Sequence, residues 1–224
     1  MISPAADHRN QQTFKIDSAK PCDSVSITSQ FQEDMHFLKC LERKEDKQTH
    51  KREVLLPRYL PEVTRYLQSG KIYYHAVMVQ CTVWLFDTEQ FELALAYTGI
   101  ATKQGQISPF KRSLAAFAAD AIYLWAVQQF EQGRDIDPYF AIVLNHLLTD
   151  WKLPEQLCAK YFKLAGLYVL SKAHETGLPS HIVDEKTLRL ADSLFLRAEQ
   201  EHYKIGVKTH RNRIEMRLKA LAAQ

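Results

Sequence analysis

Apolar residues recur at helical spacing along most of the chain from Phe31 onward. Between Leu114 and Trp125, for example, they follow the i, i+3, i+4, i+7 pattern of a helix with one buried face. Glycine, proline or aspartate separates consecutive segments of this kind, and no segment alternates apolar and polar residues as a strand would. The pattern predicts helices over residues 72–86, 90–103, 109–130, 138–149, 154–174, 184–202 and 207–221.

The predicted helices are a few turns long, and short connections join them, which favours antiparallel neighbours. Small side chains inside them, such as Ala118 and Ala191, and the glycine Gly166 permit close helix approach. We therefore predict an all-α fold of antiparallel helical hairpins with tetratricopeptide-like stacking. A regular repeat of that length is not demonstrable in the sequence.

Three regions follow each other along the chain. Residues 1–30 are rich in Ser, Asp, Gln and Asn with Phe14 as their one aromatic residue, so we expect a flexible arm. Residues 31–70 should hold a charged helix that Pro57 and Pro61 break, and then a short helix that ends at Ser69-Gly70. We expect this region to bind DNA or mediate assembly. Residues 71–224 should form the helical-repeat-like body.

Lysine or arginine recurs every fourth residue along the charged helix and forms a basic ridge, while acidic residues occupy a neighbouring stripe. Cations on one helix face displace the counterions of a phosphate backbone, which gives sequence-independent affinity for nucleic acid. A solvated helix face is the alternative, because charge runs usually need no partner. We define the N-terminal basic set as the candidate DNA contacts Lys39, Arg43, Lys44, Lys47, Lys51, Arg52 and Arg58.

The last predicted helix has many cations, with Glu215 as the acidic residue opposed to them. Its apolar residues, including Ile214 and Leu218, line one face, so a docked helix would direct cations outward to DNA or to an acidic protein. The alternative is that these charges match the helix dipole near the C-terminus. We define the C-terminal basic set as Lys204, Lys208, Arg211, Arg213, Arg217 and Lys219.

Composition limits the class of protein. The chain has 224 residues with 46% hydrophobic and 25% charged residues, and its mean hydropathy is -0.30. It has no apolar run of the roughly 20 residues that a membrane-spanning helix needs, and it opens without a secretory signal, so we expect a cytoplasmic protein without a membrane partner. A net charge of +3 permits an anionic partner without demanding one.

The sequence lacks the motifs of several kinds of catalytic site. No glycine pattern would cradle a phosphate, no cysteines or histidines have zinc-ligand spacing, and no acidic cluster would hold the divalent ions of a nuclease. Asp184-Glu185 should cap a helix. We therefore expect no cofactor, no metal and no catalytic residue. The aromatic positions Tyr73, Tyr74, Trp84, Phe86, Phe91 and Tyr97 are predicted to be core rather than a base-stacking platform.

Several stretches together resemble the small terminase subunit of P-two-type temperate tailed phages. The resemblance spans nearly the whole chain, in order and at sensible spacing. It is carried by Ser3-Pro4-Ala5, by Leu55-Leu56-Pro57-Arg58-Tyr59-Leu60-Pro61, by Val83-Trp84-Leu85-Phe86-Asp87 with Phe91-Glu92-Leu93-Ala94-Leu95, and by Gly206-Val207-Lys208 with the charged last helix.

The resemblance implies a role in packaging viral DNA. A small subunit of this family recognises double-stranded phage DNA at the packaging site, assembles as a homo-oligomer that is often a ring, and recruits the large subunit, which has the ATPase and nuclease chemistry. The family is often labelled the endonuclease subunit of terminase. The protein would act in the cytoplasm of the bacterial host, and the C-terminal basic set would contact DNA or the large subunit.

Two other functions remain open at this point. A tetratricopeptide-like adaptor would bind only protein, and its charges would serve solubility. An autonomous endonuclease would cleave DNA as the isolated chain with magnesium.

Overall fold

The computed structural model describes residues 21–223, with side chains from Ile27 onward. Within this range the regular structure is helical and contains no strand, which confirms the all-α prediction. Residues 1–20, which are most of the predicted arm, lie outside the described residues. The α-helices are α1 Pro21–Cys40, α2 Lys44–His50, α3 Leu56–Gln68, α4 Ala76–Asp87, α5 Phe91–Lys103, α6 Leu114–Glu131, α7 Tyr139–Thr149, α8 Glu155–Ala173, α9 Glu185–Glu201 and α10 Lys208–Ala222.

The N-terminal boundary differs from the prediction. Helix α1 begins at Pro21, ten residues before the start of the apolar pattern at Phe31. Proline is favoured in the first turn of a helix, because an N–H there has no partner within the helix. The charged helix is also not continuous, because α1 ends at Cys40 and α2 begins at Lys44.

The predicted break at the prolines is wrong. A π-helical turn spans Lys51–Leu55 and leads into α3, whose first turn contains Pro57 and whose interior contains Pro61. Neither Pro57 nor Pro61 can donate a backbone hydrogen bond to the preceding turn, which costs the helix stability. The burial of one face of this helix offsets that loss, since Leu56, Tyr59, Val63 and Tyr66 are all buried.

Side-chain caps determine where two helices start. Ser113 Oγ accepts a hydrogen bond from the Ala116 N–H at 3.1 Å, so α6 starts at Leu114, five residues after the predicted position. His75 Nδ1 accepts from the Met78 N–H at 3.0 Å, so α4 starts at Ala76 and not at residue 72. The boundaries of α5, α7, α8, α9 and α10 lie within one residue of the prediction.

The chain divides into two compact units after His50. In the second unit α3, α4, α5 and α6 pack in sequence, α6 also contacts α7 and α8, and α8, α9 and α10 pack in turn. Residues 51–70, which the sequence pattern grouped with the charged helix, therefore pack with the helical body. The tetratricopeptide-like geometry of this packing stays a prediction.

Aromatic residues and one glycine hold the body together. Trp84, Tyr161 and Phe195 are fully buried, and Tyr161 donates its hydroxyl hydrogen to the Ala119 carbonyl at 2.8 Å, which links α8 to α6. An added Cβ at Gly166 would lie 2.6 Å from Phe195 Cε1. Gly166 therefore permits the close approach of α8 and α9.

None of the helices within residues 21–223 combines the length and the apolar character needed to span a membrane.

Candidate nucleic-acid interfaces

Four members of the N-terminal basic set lie in the first unit. Lys39 is in the last turn of α1, Arg43 lies between the helices, and Lys44 opens α2; all three are exposed, and Lys47 is half-buried. The break between the helices prevents the fourfold spacing from forming one continuous ridge. Within the described residues, no ion pair joins Lys39, Arg43 or Lys44 to a carboxylate.

The other members of the N-terminal basic set lie in the second unit. Lys51 Nζ donates to Asp87 Oδ2 at 2.6 Å, and 14% of its side chain is exposed. Arg52 donates to the Thr88 carbonyl at 2.8 Å. These two contacts connect the π-helical turn to the end of α4, so Lys51 and Arg52 have a structural role. Arg58 is exposed on α3.

The structure also divides the C-terminal basic set. Arg211 lies between two carboxylates of α9, with Nε 2.9 Å from Asp192 Oδ1 and one terminal nitrogen 2.8 Å from Glu199 Oε2. Arg217 donates to the Ile182 carbonyl at 2.8 Å. Lys219 pairs with Glu215 at 2.7 Å along α10.

The remaining three members, Lys204, Lys208 and Arg213, are exposed and form no ion pair with a carboxylate in the described part of the chain. Lys204 lies over the exposed ring of Tyr203 at 5.2 Å from its centroid. The groove between α9 and α10 includes Asp192 and Glu199 in its lining, so its charge is mixed. Free cations on this surface are thus fewer than the sequence suggested.

Two aromatic residues that were predicted to be core are exposed. Tyr73 and Tyr74 keep 52% and 41% of their surface accessible, because the His75 cap starts α4 after them. The core prediction is wrong for this pair. It is confirmed for Trp84, Phe86, Phe91 and Tyr97, which are buried.

Asp184 and two of the cysteines lie in structural positions. Asp184 accepts hydrogen bonds from the Lys186 and Thr187 N–H groups, which confirms that it caps α9. Cys81 is buried, and burial raises the pKa of its thiol to about 12. Cys158 is also buried, whereas Cys40 is exposed. No group of three or more His, Cys, Asp or Glu residues suited to a metal ion occurs among the described residues.

The fold and these surfaces define an all-α protein with exposed, unpaired cations near both ends of its described chain. Residues 28–156 match the family described as the phage small terminase subunit, and the chain belongs to that family. The chain is 37% identical over 193 residues to the probable terminase, endonuclease subunit, of Haemophilus phage HP1, covering 85% of this chain and 69% of that relative.

A second relative extends over more of the sequence. The terminase, endonuclease subunit, of Escherichia phage P2 is 25% identical over 228 residues, covering 98% of this chain and 87% of that relative. No solved structure matches the chain. Membership in the family agrees with the resemblance found in the sequence, and it places the protein in viral DNA packaging.

Proposed function

We propose that this small terminase subunit recognises double-stranded phage DNA at the packaging site, assembles as a homo-oligomer, and recruits the large terminase subunit. It would do so in the cytoplasm of the bacterial host. Its family supports the packaging role. The large subunit would supply the ATPase and nuclease chemistry.

One observation supports the proposed DNA contact. Lys39, Arg43 and Lys44 are exposed around the junction of α1 and α2, and no carboxylate in the described residues forms an ion pair with them. Cations that are not engaged within the fold remain available to phosphate oxygens. Lys51, by contrast, is occupied by Asp87.

The modest net charge around the junction of α1 and α2 supports a homo-oligomer that presents several copies of the DNA contact. Exposed Glu42, Glu45 and Asp46 lie among the same cations, and the whole chain has a net charge of only +3. A single copy would therefore bind a duplex weakly. Several copies in one oligomer would combine their weak contacts through effective concentration.

The C-terminal basic set supplies a second surface. With Arg211, Arg217 and Lys219 engaged in the fold, its available cations are Lys204, Lys208 and Arg213. We propose that these three contact the large subunit or flanking DNA.

Charge reversal at the helix junction tests the DNA contact. Affinity for a duplex of the phage's own packaging site would be measured by fluorescence anisotropy over a series of salt concentrations, with Arg43→Glu plus Lys44→Glu as the test variant. Each lost phosphate contact lowers the salt slope by about 0.9, so the variant should bind more weakly and lose roughly two units of slope per bound chain.

The matched control is Lys152→Glu plus Lys186→Glu, which makes the same change of charge at exposed positions outside both basic sets. Its affinity should exceed that of the test variant. Equal affinity in the two double variants would remove the helix junction from the DNA site. Light scattering of the same samples would measure the mass of the protein with and without the DNA. A monomer whose mass does not change when the DNA is added would favour a protein adaptor.

The names of the two relatives favour a second candidate function, since both are called endonuclease subunits. An autonomous endonuclease would cut packaging-site DNA as the isolated chain with magnesium. Cleavage that survives purification to constant specific activity and stops with EDTA would establish it. Cleavage only after addition of the large subunit would assign the cutting to the complex.

A further inference from the structure

Hydrogen bonds join two loops of the helical body. One connects α3 to α4 and the other connects α5 to α6. Gln106 Oε1 accepts from the His75 N–H at 2.9 Å, and Gln106 Nε2 donates to the Tyr73 carbonyl at 2.7 Å. The Tyr66 hydroxyl lies 2.8 Å from Gln104 Oε1. These hydrogen bonds hold the backbones of both loops in a fixed arrangement.

Each loop presents an aromatic ring that is supported and yet accessible. The ring of Tyr73 meets that of Tyr66 edge to face at a centroid distance of 4.9 Å, and 52% of Tyr73 is exposed. Phe110 stacks on Phe117 at 4.7 Å, and 40% of Phe110 is exposed. Because neighbouring rings hold them, stacking with a ligand would cost these side chains little conformational entropy.

The charge around these rings is positive. Residues 69–76 and 104–113 contain Lys71, Lys111 and Arg112 and no Asp or Glu. Arg112 pairs with Asp120. Lys71 and Lys111 are exposed and form no ion pair within the described residues. Glu62 on α3, which interacts electrostatically with Tyr73, pairs with Arg65 at 2.7 Å.

We refer to the exposed residues Lys71, Ile72, Tyr73, Ile107, Phe110 and Lys111 of these two joined loops as the aromatic loop surface. Its two isoleucines are also accessible, with 70% of Ile72 and 52% of Ile107 exposed. Accessible rings beside unpaired lysines match the two chemical parts of a single strand of nucleic acid, whose unpaired bases offer π faces and whose backbone is anionic. A duplex offers the same phosphates, but its base faces are already stacked inside the helix.

We propose that the aromatic loop surface binds single-stranded DNA. Tyr73 and Phe110 stack with bases, and Lys71 and Lys111 contact phosphates. The choice of DNA rests on the membership of the chain in a DNA-packaging family. The inference goes beyond the proposed duplex contact because it concerns other residues and another form of the nucleic acid.

The test measures binding of the full-length chain to a fluorescein-labelled oligothymidylate strand of about 15 nucleotides, by anisotropy. Tyr73→Leu plus Phe110→Leu removes both rings and keeps apolar volume. Loss of a base–aromatic stack typically weakens binding about tenfold, so the double variant should bind at least tenfold more weakly. Affinity equal to that of the unchanged chain would overturn the proposal.

A second variant that keeps both rings distinguishes the loss of stacking from a folding defect in the leucine variant. Tyr73→Phe plus Phe110→Tyr keeps an aromatic ring at both positions and should retain the affinity for the single strand. Loss of binding in this variant, with thermal unfolding unchanged, would contradict stacking as the source of affinity.

Charge reversal at the two lysines then distinguishes single-stranded DNA from duplex DNA and from a second copy of the chain. Lys71→Glu plus Lys111→Glu should weaken single-strand binding and reduce its salt slope, whereas Lys152→Glu plus Lys186→Glu should affect it less. Duplex binding should respond to Arg43→Glu plus Lys44→Glu and not to the leucine exchange, so the two proposals can fail separately. If Tyr73→Leu plus Phe110→Leu changed the mass of the oligomer but left the single-strand affinity equal to that of the unchanged chain, the inference would be overturned. The aromatic loop surface would then be a contact between copies of the chain.

Discussion

Lys51 Nζ lies 2.6 Å from Asp87 Oδ2 and thereby joins the π-helical turn before α3 to the last residue of α4. The two residues are 36 positions apart in the chain, and 14% of the Lys51 side chain and 35% of the Asp87 side chain are exposed. A residue that the sequence pattern suggested for DNA binding is thus used inside the helical body.

Replacing this lysine should therefore affect folding more than DNA binding. We expect Lys51→Met to lower the free energy of unfolding by about 2 kcal/mol, because a hydrogen bond between charged groups is lost and a carboxylate loses a partner. Urea unfolding measures the change. Duplex affinity below the unfolding transition should stay close to that of the unchanged chain. A double-mutant cycle with Asp87→Asn should show coupling between the two positions.

The stability of the chain should depend on His75 in acid. Burial lowers the pKa of His75 to about 4, while its Nδ1 accepts the hydrogen bond that caps α4. The unfolded chain takes up this proton near pH 6.5, so stability is complete above that pH and falls as the pH drops towards 4. We expect a loss of about 2 kcal/mol from His75 between pH 7 and pH 5.

Urea unfolding at both pH values checks this expectation. His75→Asn keeps a capping side chain without a titrating ring, so its stability should fall less over the same interval. The pKa of His210 is also lowered, mainly by burial, and leaves a residual pH dependence in both chains. An equal fall in the two chains would exclude His75 as the source.

Gly166→Ala should destabilise the contact between α8 and α9. The new Cβ would lie 2.6 Å from Phe195 Cε1, and that ring is fully buried. Overpacking of this kind costs about 1–3 kcal/mol, which exceeds the gain of up to about 1 kcal/mol from better helix propensity. Gly99→Ala in α5 is the matched control, because outside the adjacent backbone of its own helix no atom lies within 4 Å of the new Cβ. Thermal unfolding should show a lower Tm for Gly166→Ala and an unchanged or higher Tm for Gly99→Ala.

Two neighbouring arginines of α10 should separate structural from available cations. Arg211 pairs with Asp192 and Glu199 on α9, whereas Arg213 is exposed. We expect Arg211→Gln to lower the free energy of unfolding by about 1–2 kcal/mol, since two carboxylates lose their partner. Arg213→Gln should leave it within about 0.5 kcal/mol. Denaturant unfolding of the two variants side by side would contradict this assignment if their midpoints agreed.

Local patterns in the sequence were enough to predict the all-α class and most helix boundaries. The spacing of apolar residues encodes the buried face of a helix, and Asp184 is a recognisable cap. The Ser113 cap was missed, so the start of α6 was predicted five residues too early. The passage of a helix through Pro57 and Pro61 was not predictable from local preference, because burial of Leu56, Tyr59 and Val63 outweighs it.

The candidate site was predictable only in part, because charge pairing depends on residues far apart in the chain. Asp87 engages Lys51 across 36 positions, and Asp192 engages Arg211 across 19. A count of cations along a helix therefore does not distinguish those paired with a distant carboxylate from those available to a partner. The exposed Tyr73 was missed because the start of α4 depends on the His75 cap.

The uneven protection of the thiols makes this protein suited to selective chemical labelling. Cys81 and Cys158 are buried, and burial raises the pKa of both, so neither offers an accessible thiolate at neutral pH. Cys40 is exposed at the last residue of α1, four positions before Lys44. In a Cys22→Ser chain, a maleimide dye would therefore attach at Cys40 and test whether a duplex binds at the helix junction, without any engineered cysteine.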